Sequence, residues 1–396
     1  MTLVNKNKIQ TNQAVFAQPA ERIYFIDNLR VFLTLLVVAH HAIITYSGTG
    51  GWYYKEGRQD FVTQALSGIF CATNQAFFMA FFFMIAGFFT VSSLDKKSNS
   101  SFLKDRFLRL GIPIIVYDLF IHPTMIYAIK NKLNNESYSF LSHFIQYLKN
   151  FNQIARGPLW FLSALLIFSL AYICVRYLFP KKTNLAPPKK NFPNTLSLIV
   201  FSIICGLASF VIRLWMPAGE VIKILGFQMG YFVLYIALFA AGIIAYRQNW
   251  FFTLSEKIGK RWFAAIQILI ILLPVGYILG GVMDERGAKL TMGGMNGLAL
   301  FYAMWEPFVC VGICAGLTVQ FRKYLNKRTT IQQFLAKNAY TVFIIHAPVL
   351  VFVALAMRPV MFHPLAKFVI LYITAVPICY ILAHGLRRIP FVDRIL

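Results

Sequence analysis

The sequence predicts an all-α, polytopic integral membrane protein with about ten transmembrane helices. Of its 396 residues, 58% are hydrophobic and only 13% are charged. That is far more apolar surface than one soluble core could bury. A helix needs about 20 apolar residues to cross the roughly 30 Å hydrocarbon layer, and stretches of that length recur along the whole chain.

The ten spans are read from continuous apolar character, with polar, Gly-rich and Pro-rich runs marking the turns between them. They are predicted at 29–46, 72–94, 107–128, 159–179, 196–216, 224–246, 263–281, 296–320, 339–357 and 364–386. No loop is long enough for a separate domain. Residues 22–390 are therefore predicted to form one transmembrane domain. It is preceded by a cytoplasmic tail at 1–21 and interrupted by a Pro- and Lys-rich cytoplasmic linker near 180–194.

The net charge of +24 is distributed unevenly along this pattern. With the N-terminus in the cytoplasm, roughly two thirds of the Lys and Arg residues fall in cytoplasmic segments, as the positive-inside rule requires. The polar N-terminal residues lack the apolar core of a cleavable signal peptide. We therefore expect both termini to be cytoplasmic. The positive charge needs no nucleic-acid partner, and membrane lipid is the expected surrounding.

The six cysteines lie in or beside apolar segments. They show neither a disulfide framework nor a metal-ligand spacing. Cys310 and Cys314 share a helix face, but no His or Cys pair lies nearby in the sequence. We interpret the cysteines as small core residues, and no metal site is predicted.

Charged and titratable residues inside the spans are informative, because a charge near the bilayer centre costs about 2.5–3.5 kcal/mol on insertion scales. In the first span, Arg30 and His41 are about three turns apart and share one helix face, whereas His40 is turned roughly 80° away. An axial separation of about 16 Å puts Arg30 at the cytoplasmic edge and His41 near or beyond mid-membrane. The structural alternatives are an interfacial pair of Arg30 with Asp27, and a hydrogen bond from His41 to a neighbouring helix.

The third span begins with Arg106 and Arg109 at a helix start. Two guanidinium groups one turn apart beside a helix N-terminus favour binding of phosphate or another anion. The alternative is ordinary positive-inside topology. Deeper in the same span, Asp118 and His122 are four residues apart on one face, which is typical of a helix-stabilising pair but also places a carboxylate in the membrane.

Two later spans each contain one candidate residue. Glu306 is the only carboxylate of the eighth span, so it is predicted to be protonated, paired across helices or functional. His346 lies about two turns into the ninth span. His346 has either a functional role or a buried polar contact with another helix, and the sequence favours neither.

Seven segments carry a family resemblance when they are taken in order. They are Arg30 with His41 eleven residues on, HAIITYSGTGGWYY from residue 41, QAFFMAFFFMIAGFF at 75–89, RFLR at 106–109, GPLWFLSALLIF at 157–168, WEPFVCVGI at 305–313 and AYTVFIIHAPV at 339–349. The chain resembles the membrane acyltransferase-3 family, and within it the branch related to glucan-modifying (succinyl) transferases. The matches extend over residues 22–350.

The resemblance implies transfer of an acyl group from a cytoplasmic donor, usually acyl-CoA, to a hydroxyl of a carbohydrate or other envelope acceptor. Acyl-CoA is then a co-substrate, and no permanently bound cofactor is expected. The family also implies the bacterial inner membrane. An anionic donor would be held at the cytoplasmic edge by Arg30, Arg106 and Arg109, and the flexible arm of CoA is long enough to reach roughly 16 Å to the level of His41.

A neutral imidazole is the natural general base for a hydroxyl that attacks a thioester, and His41 is the residue chosen for it. A covalent acyl-histidine intermediate is the variant that stays open. Asp27 lies about 21 Å from His41 along the same helix, so the orienting carboxylate is expected to be Glu306 or Asp118. The remaining candidates are Asp27 itself, Trp160 and His346.

The competing class is a secondary transporter, since intramembrane His, Arg and Glu residues also form proton or anion relays. Such transporters usually carry broken helices at corresponding positions of two halves. The sequence shows no such repeat, which favours the enzyme.

Overall fold

The computed structural model describes residues 23–48, 50–56, 60–134, 139–151, 157–179, 192–223, 225–279 and 285–396. Within these ranges, ten helices are long and apolar enough to cross a membrane, which confirms the predicted number. They are α1 Tyr24–Ser47, α2 Phe61–Leu94, α3 Asn99–Leu133, α4 Gly157–Leu178, α5 Thr195–Arg213, α6 Met229–Gln248, α7 Glu256–Leu279, α8 Gly297–Tyr324, α9 Thr330–Ala356 and α10 Pro364–Leu386. The predicted tail 1–21 and most of the predicted linker 180–194 lie outside the described residues.

Two helices begin about ten residues earlier than their apolar runs predict. The side chain of Asp60 caps α2 by accepting a hydrogen bond from the backbone N–H of Thr63 at 2.9 Å. At the start of α9, Thr329 and Gln332 form a capping box in which each side chain binds the backbone N–H of the other residue. Such caps satisfy the free N–H groups of a first turn and extend a helix into polar sequence. Hydropathy alone does not detect these turns.

The bundle has an inner and an outer set of helices. In the described part of the chain the only extended pairing is an isolated bridge between Ile222 and Phe227, so the all-α prediction is confirmed. Helices α1, α2, α8 and α9 are mostly buried inside the bundle, whereas α5, α7 and α10 are mostly exposed at its periphery. Helix α1 packs against α2, α8, α9 and α10. The helix that carries Arg30 and His41 is therefore central.

Helices α2 and α6 approach each other closely through two glycines. A Cβ atom on Gly87 would lie 2.2 Å from the carbonyl oxygen of Phe239, and one on Gly242 would lie 2.0 Å from that of Met84. Small residues allow membrane helices to pack backbone against backbone, which supplies van der Waals contact where lipid gives no hydrophobic driving force. This contact fixes α2 against the rest of the bundle.

Helix α3 leaves ordinary α-helical geometry at the segment that carries Arg109. Residues Phe107–Gly111 form a π-helical turn, a feature often found at functional sites. Pro113 follows and has no N–H to donate to the carbonyl four residues earlier, which is that of Arg109. The hydroxyl of Tyr340 on α9 donates to that carbonyl instead. The proline thus leaves a backbone carbonyl without its helical donor, and a tyrosine from another helix donates to it.

The same device recurs further along α3. Residues Tyr117–Ile121 form a second π-helical turn, and Pro123 cannot donate to the carbonyl of Asp118 five residues earlier. The hydroxyl of Tyr147 donates to that carbonyl at 2.7 Å. Tyr147 belongs to a short helix, Phe140–Lys149, between α3 and α4. Helix α3 is therefore held at two levels by tyrosines from separate elements.

Candidate functional site

Two histidines from the inner helices α1 and α9 form the centre of the site. Nδ1 of His41 lies 3.0 Å from Nε2 of His346, and Nδ1 of His346 lies 2.6 Å from the carbonyl oxygen of Phe343. A carbonyl only accepts, so in the neutral pair Nδ1 of His346 carries the hydrogen and its Nε2 is an acceptor. His41 must then donate through Nδ1. This assignment leaves the lone pair of His41 Nε2 free to act as a base.

The loop after α1 places aromatic side chains against this pair. Gly48 and Gly50 take positive φ values of 71° and 76°, which turn the chain back over the end of α1. The indole of Trp52 stacks on the imidazole of His41, with centroids 4.3 Å apart and planes 17° apart. His346 is fully buried, whereas His41 is half-buried. His41 is therefore the member of the pair that a reactant can approach.

Two side-chain contacts fasten this loop to the start of α10. Lys367 donates to the carboxylate of Glu56, and the imidazole of His363 lies 3.2 Å from the carboxylate of Asp60. The backbone N–H of Glu56 also donates to the carbonyl of Thr45 at 2.9 Å. These contacts anchor both ends of the segment that carries Trp52.

Tyr53 connects the loop to α3. Its hydroxyl lies 3.1 Å from that of Tyr117. Burial, together with the neighbouring Tyr117 hydroxyl, raises the pKa of Tyr53 well above its usual value. The Tyr53 hydroxyl therefore stays neutral and keeps its proton for hydrogen bonding.

The three predicted arginines meet near one tyrosine. Arg109, Arg106 and Arg30 all lie close enough to the hydroxyl of Tyr340 for their charges to act on it. Arg106 and Arg109 also lie close enough for their charges to interact. Because like charges repel, such a cluster is typical of a site for an anion. The structure therefore brings together the three residues that the sequence assigns to donor binding.

Two of these arginines have further partners. Arg30 forms the expected pair with Asp27, at 3.6 Å. A guanidinium nitrogen of Arg106 lies 3.4 Å from the hydroxyl of Thr90 on α2. These contacts fix the direction of the side chains at the end of the bundle where α1 and α3 begin. Asp27 is thus part of the arginine cluster and remote from His41.

Glu306 occupies a different place from the one expected of a partner for His41. It forms an ion pair with Arg213 of α5, and Arg213 also donates from Nε to the carbonyl of Gly230 at 3.0 Å. The two side chains are buried, with Arg213 1% exposed and Glu306 3% exposed. The partner of His41 Nδ1 is His346 and not this carboxylate. The expectation that Glu306 orients His41 is therefore corrected to pairing across helices, which was one of its three alternatives.

Asp118 lies among tyrosines. Its charge acts on the hydroxyls of Tyr53, Tyr117 and Tyr147, whereas the partner of His41 Nδ1 is His346. Nδ1 of His122, on the same face of α3, has a partner other than Asp118.

His122 instead places Nδ1 at 3.0 Å from the hydroxyl of Tyr147. The tyrosine comes from a segment 25 residues away, so the four-residue spacing within α3 gave no sign of it.

Trp160, the remaining candidate, is connected to the histidine pair through two phenylalanine rings. Its indole stacks on the ring of Tyr235, with centroids 5.5 Å apart. Phe161 and Phe343 stand between it and His346, with centroids 5.5 Å apart from each other. Trp160 thus lines the aromatic packing around the site.

Three residues of this architecture were missed by the sequence interpretation. Arg213 and Lys367 both lie within predicted spans, so the rule that intramembrane charges need a reason should have selected them. Trp52 lies in a motif quoted for the resemblance. No local signal marks it as the residue that stacks on His41, since the two meet only after the chain turns back at two glycines.

Comparisons with known proteins identify the family of the chain. Over 387 residues, and 94% of each chain, the protein is 25% identical to proteins called "Glucans biosynthesis protein C" from Salmonella gallinarum, Salmonella paratyphi B and Salmonella enteritidis PT4. No solved structure matches the chain. A family model described as an acyltransferase domain matches residues 23–384. This integral membrane protein therefore belongs to the membrane acyltransferase-3 family and is an acyltransferase.

Proposed function

We propose that the protein transfers an acyl group from acyl-CoA to a hydroxyl of a carbohydrate acceptor, with His41 as the general base. The observation that carries the proposal is the arrangement of two sites along α1 and α9. The arginine cluster combines Arg30 of α1 with two arginines of α3 beside Tyr340 of α9. The His41–His346 pair joins α1 to α9 about 16 Å further along α1. In acyl-CoA, the anionic nucleotide and the thioester are also held apart, by the flexible pantetheine arm.

The donor head group fits the arginine cluster. CoA carries a diphosphate and a ribose phosphate, and guanidinium groups bind phosphate oxygens through paired, charge-assisted hydrogen bonds. Tyr340 lies six residues before His346, or about 9 Å along α9, so it stands between the two sites. The pantetheine arm would pass this tyrosine to bring the thioester to His41.

The chemistry follows from the free lone pair on His41 Nε2. As the acceptor oxygen attacks the thioester carbonyl carbon, its proton moves to Nε2, and a tetrahedral oxyanion forms. Collapse of that intermediate breaks the C–S bond, and the departing thiolate takes the proton from His41. The products are an ester and free CoA, and the histidine pair returns to its neutral state.

His346 positions His41 and shares the charge that forms on it. Its Nε2 accepts from His41 Nδ1, which fixes the ring and exposes the correct nitrogen, as the carboxylate does in a serine–histidine–aspartate triad. When His41 becomes an imidazolium, the hydrogen bond to His346 strengthens, and the carbonyl of Phe343 stabilises the second ring.

The acceptor class is taken from the relatives named for glucan biosynthesis and from the need for a hydroxyl nucleophile. We place the protein in the inner membrane of a bacterium, with both termini in the cytoplasm. In this arrangement the donor enters at the arginine end, and the acceptor approaches from the opposite side.

The orientation is tested at the 180–194 linker. We expect a cysteine in place of Leu185 to be shielded in intact cells, because positively charged segments stay on the cytoplasmic side. Labelling by a membrane-impermeant maleimide, before and after the cells are opened, measures this. A cysteine labelled from outside intact cells would overturn the orientation.

Donor binding is tested by removing one arginine. Arg106→Ala is expected to raise the KM for acyl-CoA by roughly tenfold or more, because a hydrogen bond to a charged group contributes about 1.5–3 kcal/mol. Release of free thiol from acyl-CoA by the purified protein, with and without a glucan acceptor, measures the reaction. Arg261→Ala is the matched control, since Arg261 is exposed on the peripheral α7. Transport of a solute without thiol release would favour the transporter class instead.

A further inference from the structure

The end of the chain packs against the part of α3 that carries Arg109. A short helix, Val392–Ile395, contacts the π-helical turn Phe107–Gly111. Arg387 lies directly after the last residue of α10, at the start of this returning segment. Its guanidinium comes near that of Arg109, and burial together with this like charge lowers the pKa of Arg387. A fourth arginine thus joins the cluster.

The hydrogen-bonding groups of Arg387 are only partly used. One terminal nitrogen donates to the carbonyl of Leu396, and the carboxylate of Asp393 is near enough to act on its charge. Its Nε is buried and meets no acceptor among the residues that the structure describes. Buried donors are normally paired, so a buried N–H beside a second guanidinium indicates a place for an acceptor that carries negative charge.

The donor that we propose has more charge than three arginines can match. A diphosphate brings about two negative charges, and a phosphate monoester brings about 1.5 to 2 more at neutral pH. Arg30, Arg106 and Arg109 together supply three positive charges. A fourth guanidinium adds positive charge beside Arg109, and Arg387 is the one that the fold places there.

The level of Arg387 along the axis of the bundle indicates which phosphate of the donor it would bind. Arg387 lies just beyond the membrane-spanning part of α10, in the segment that returns to the start of α3. The phosphate monoester on the ribose belongs to the nucleotide, the end of CoA that is remote from the thioester. A guanidinium at this end of the bundle is therefore placed for the nucleotide.

Resting on acyl-CoA as the donor, we propose that Arg387 and Arg109 form a separate subsite for the ribose phosphate monoester, beside a diphosphate subsite formed by Arg30 and Arg106. This subsite makes the protein select CoA over nucleotide carriers that end in a diphosphate alone. It also gives the C-terminal segment a role in recognising the donor.

The test compares two donors that differ by one phosphate, an acyl-CoA and the same acyl group on dephospho-CoA. For the wild-type protein, the KM for the dephospho donor is expected to be roughly tenfold or more above the KM for the full donor. The dephospho donor lacks the phosphate that forms the charge-assisted hydrogen bonds. Arg387→Ala should raise the KM for the full donor by a similar factor and leave the KM for the dephospho donor unchanged. That unchanged value also shows that the variant is folded.

Two further variants complete the experiment. Arg388→Ala removes an exposed charge at the next position and should change neither KM. Arg387→Lys keeps the charge without the planar fork and should recover part of the preference. Equal losses for both donors in Arg387→Ala, or equal use of both by the wild type, would overturn this subsite alone. A wild type that uses neither donor would overturn the proposed function and the subsite with it.

Discussion

Replacing His41 with alanine is expected to lower turnover by at least about 10²-fold while the KM for acyl-CoA stays nearly the same. Nδ1 of His41 is committed to His346, which leaves the Nε2 lone pair to accept the proton of the acceptor hydroxyl. Binding of the donor is assigned to arginines about 16 Å away. Single-turnover release of thiol, together with an independent measurement of donor binding, separates the two effects.

The neighbouring His40 provides the matched control. It lies on the same helix at almost the same depth, but its ring packs on Phe78, with centroids 4.9 Å apart. His40→Ala should therefore be much milder than His41→Ala, although both remove one imidazole. A His41→Ala protein that transfers acyl groups at a normal rate, or that fails to fold while His40→Ala folds, would remove the catalytic assignment.

The largest expected loss of stability comes from Glu306→Ala. This change leaves the guanidinium of Arg213 buried without its carboxylate, and breaking a buried pair from one side costs about 3–5 kcal/mol. We expect a clear fall in the yield of folded protein and in its melting temperature in detergent. Arg213→Ala should have a comparable effect, since it strands the opposite charge.

The double variant Arg213→Met with Glu306→Leu decides whether Glu306 has any chemical role. Apolar residues of similar volume often replace a buried ion pair at little cost, so the double variant should regain most of the folded yield. Normal acyl transfer by that protein would show that the pair is structural. A folded double variant without activity would restore Glu306 as a functional residue, and normal stability of Glu306→Ala alone would contradict the predicted cost.

Much of the fold could be predicted because membrane insertion makes strong demands on local sequence. Each span needs a long apolar run, so the ten helices were visible without tertiary information. Their starts were less visible, because caps such as Asp60 lie in polar sequence. The candidate site residues divide in the same way into those that local sequence indicates and those that it does not. His41 and Arg30 were selected as candidates from their spacing within one helix, which is fixed by helix geometry.

Pairings between distant segments could not be predicted in this way. His41 and His346 are 305 residues apart, and Arg213 and Glu306 are 93 residues apart. The orienting partner was therefore expected to be a carboxylate by analogy, whereas the fold supplies a second imidazole. Arg387 was hidden for another reason. It belongs to a basic run that the positive-inside rule already explains, so its place beside Arg109 emerged only from the path of the returning chain.

The two π-helical turns of α3 have a consequence for how this helix tolerates insertions and deletions. Each turn holds one residue more than an α-helical turn, and one residue corresponds to a rotation of about 100°. The stretch beyond Tyr117–Ile121 is thus shifted in phase by about 200° from an ideal helix that starts at Arg106. Removing one residue within either turn would return that turn to α-helical geometry and leave the later side chains on their present side of the bundle. The two turns are consequently the places where α3 tolerates the loss of a residue, whereas a deletion in its α-helical parts would rotate every later side chain by about 100°.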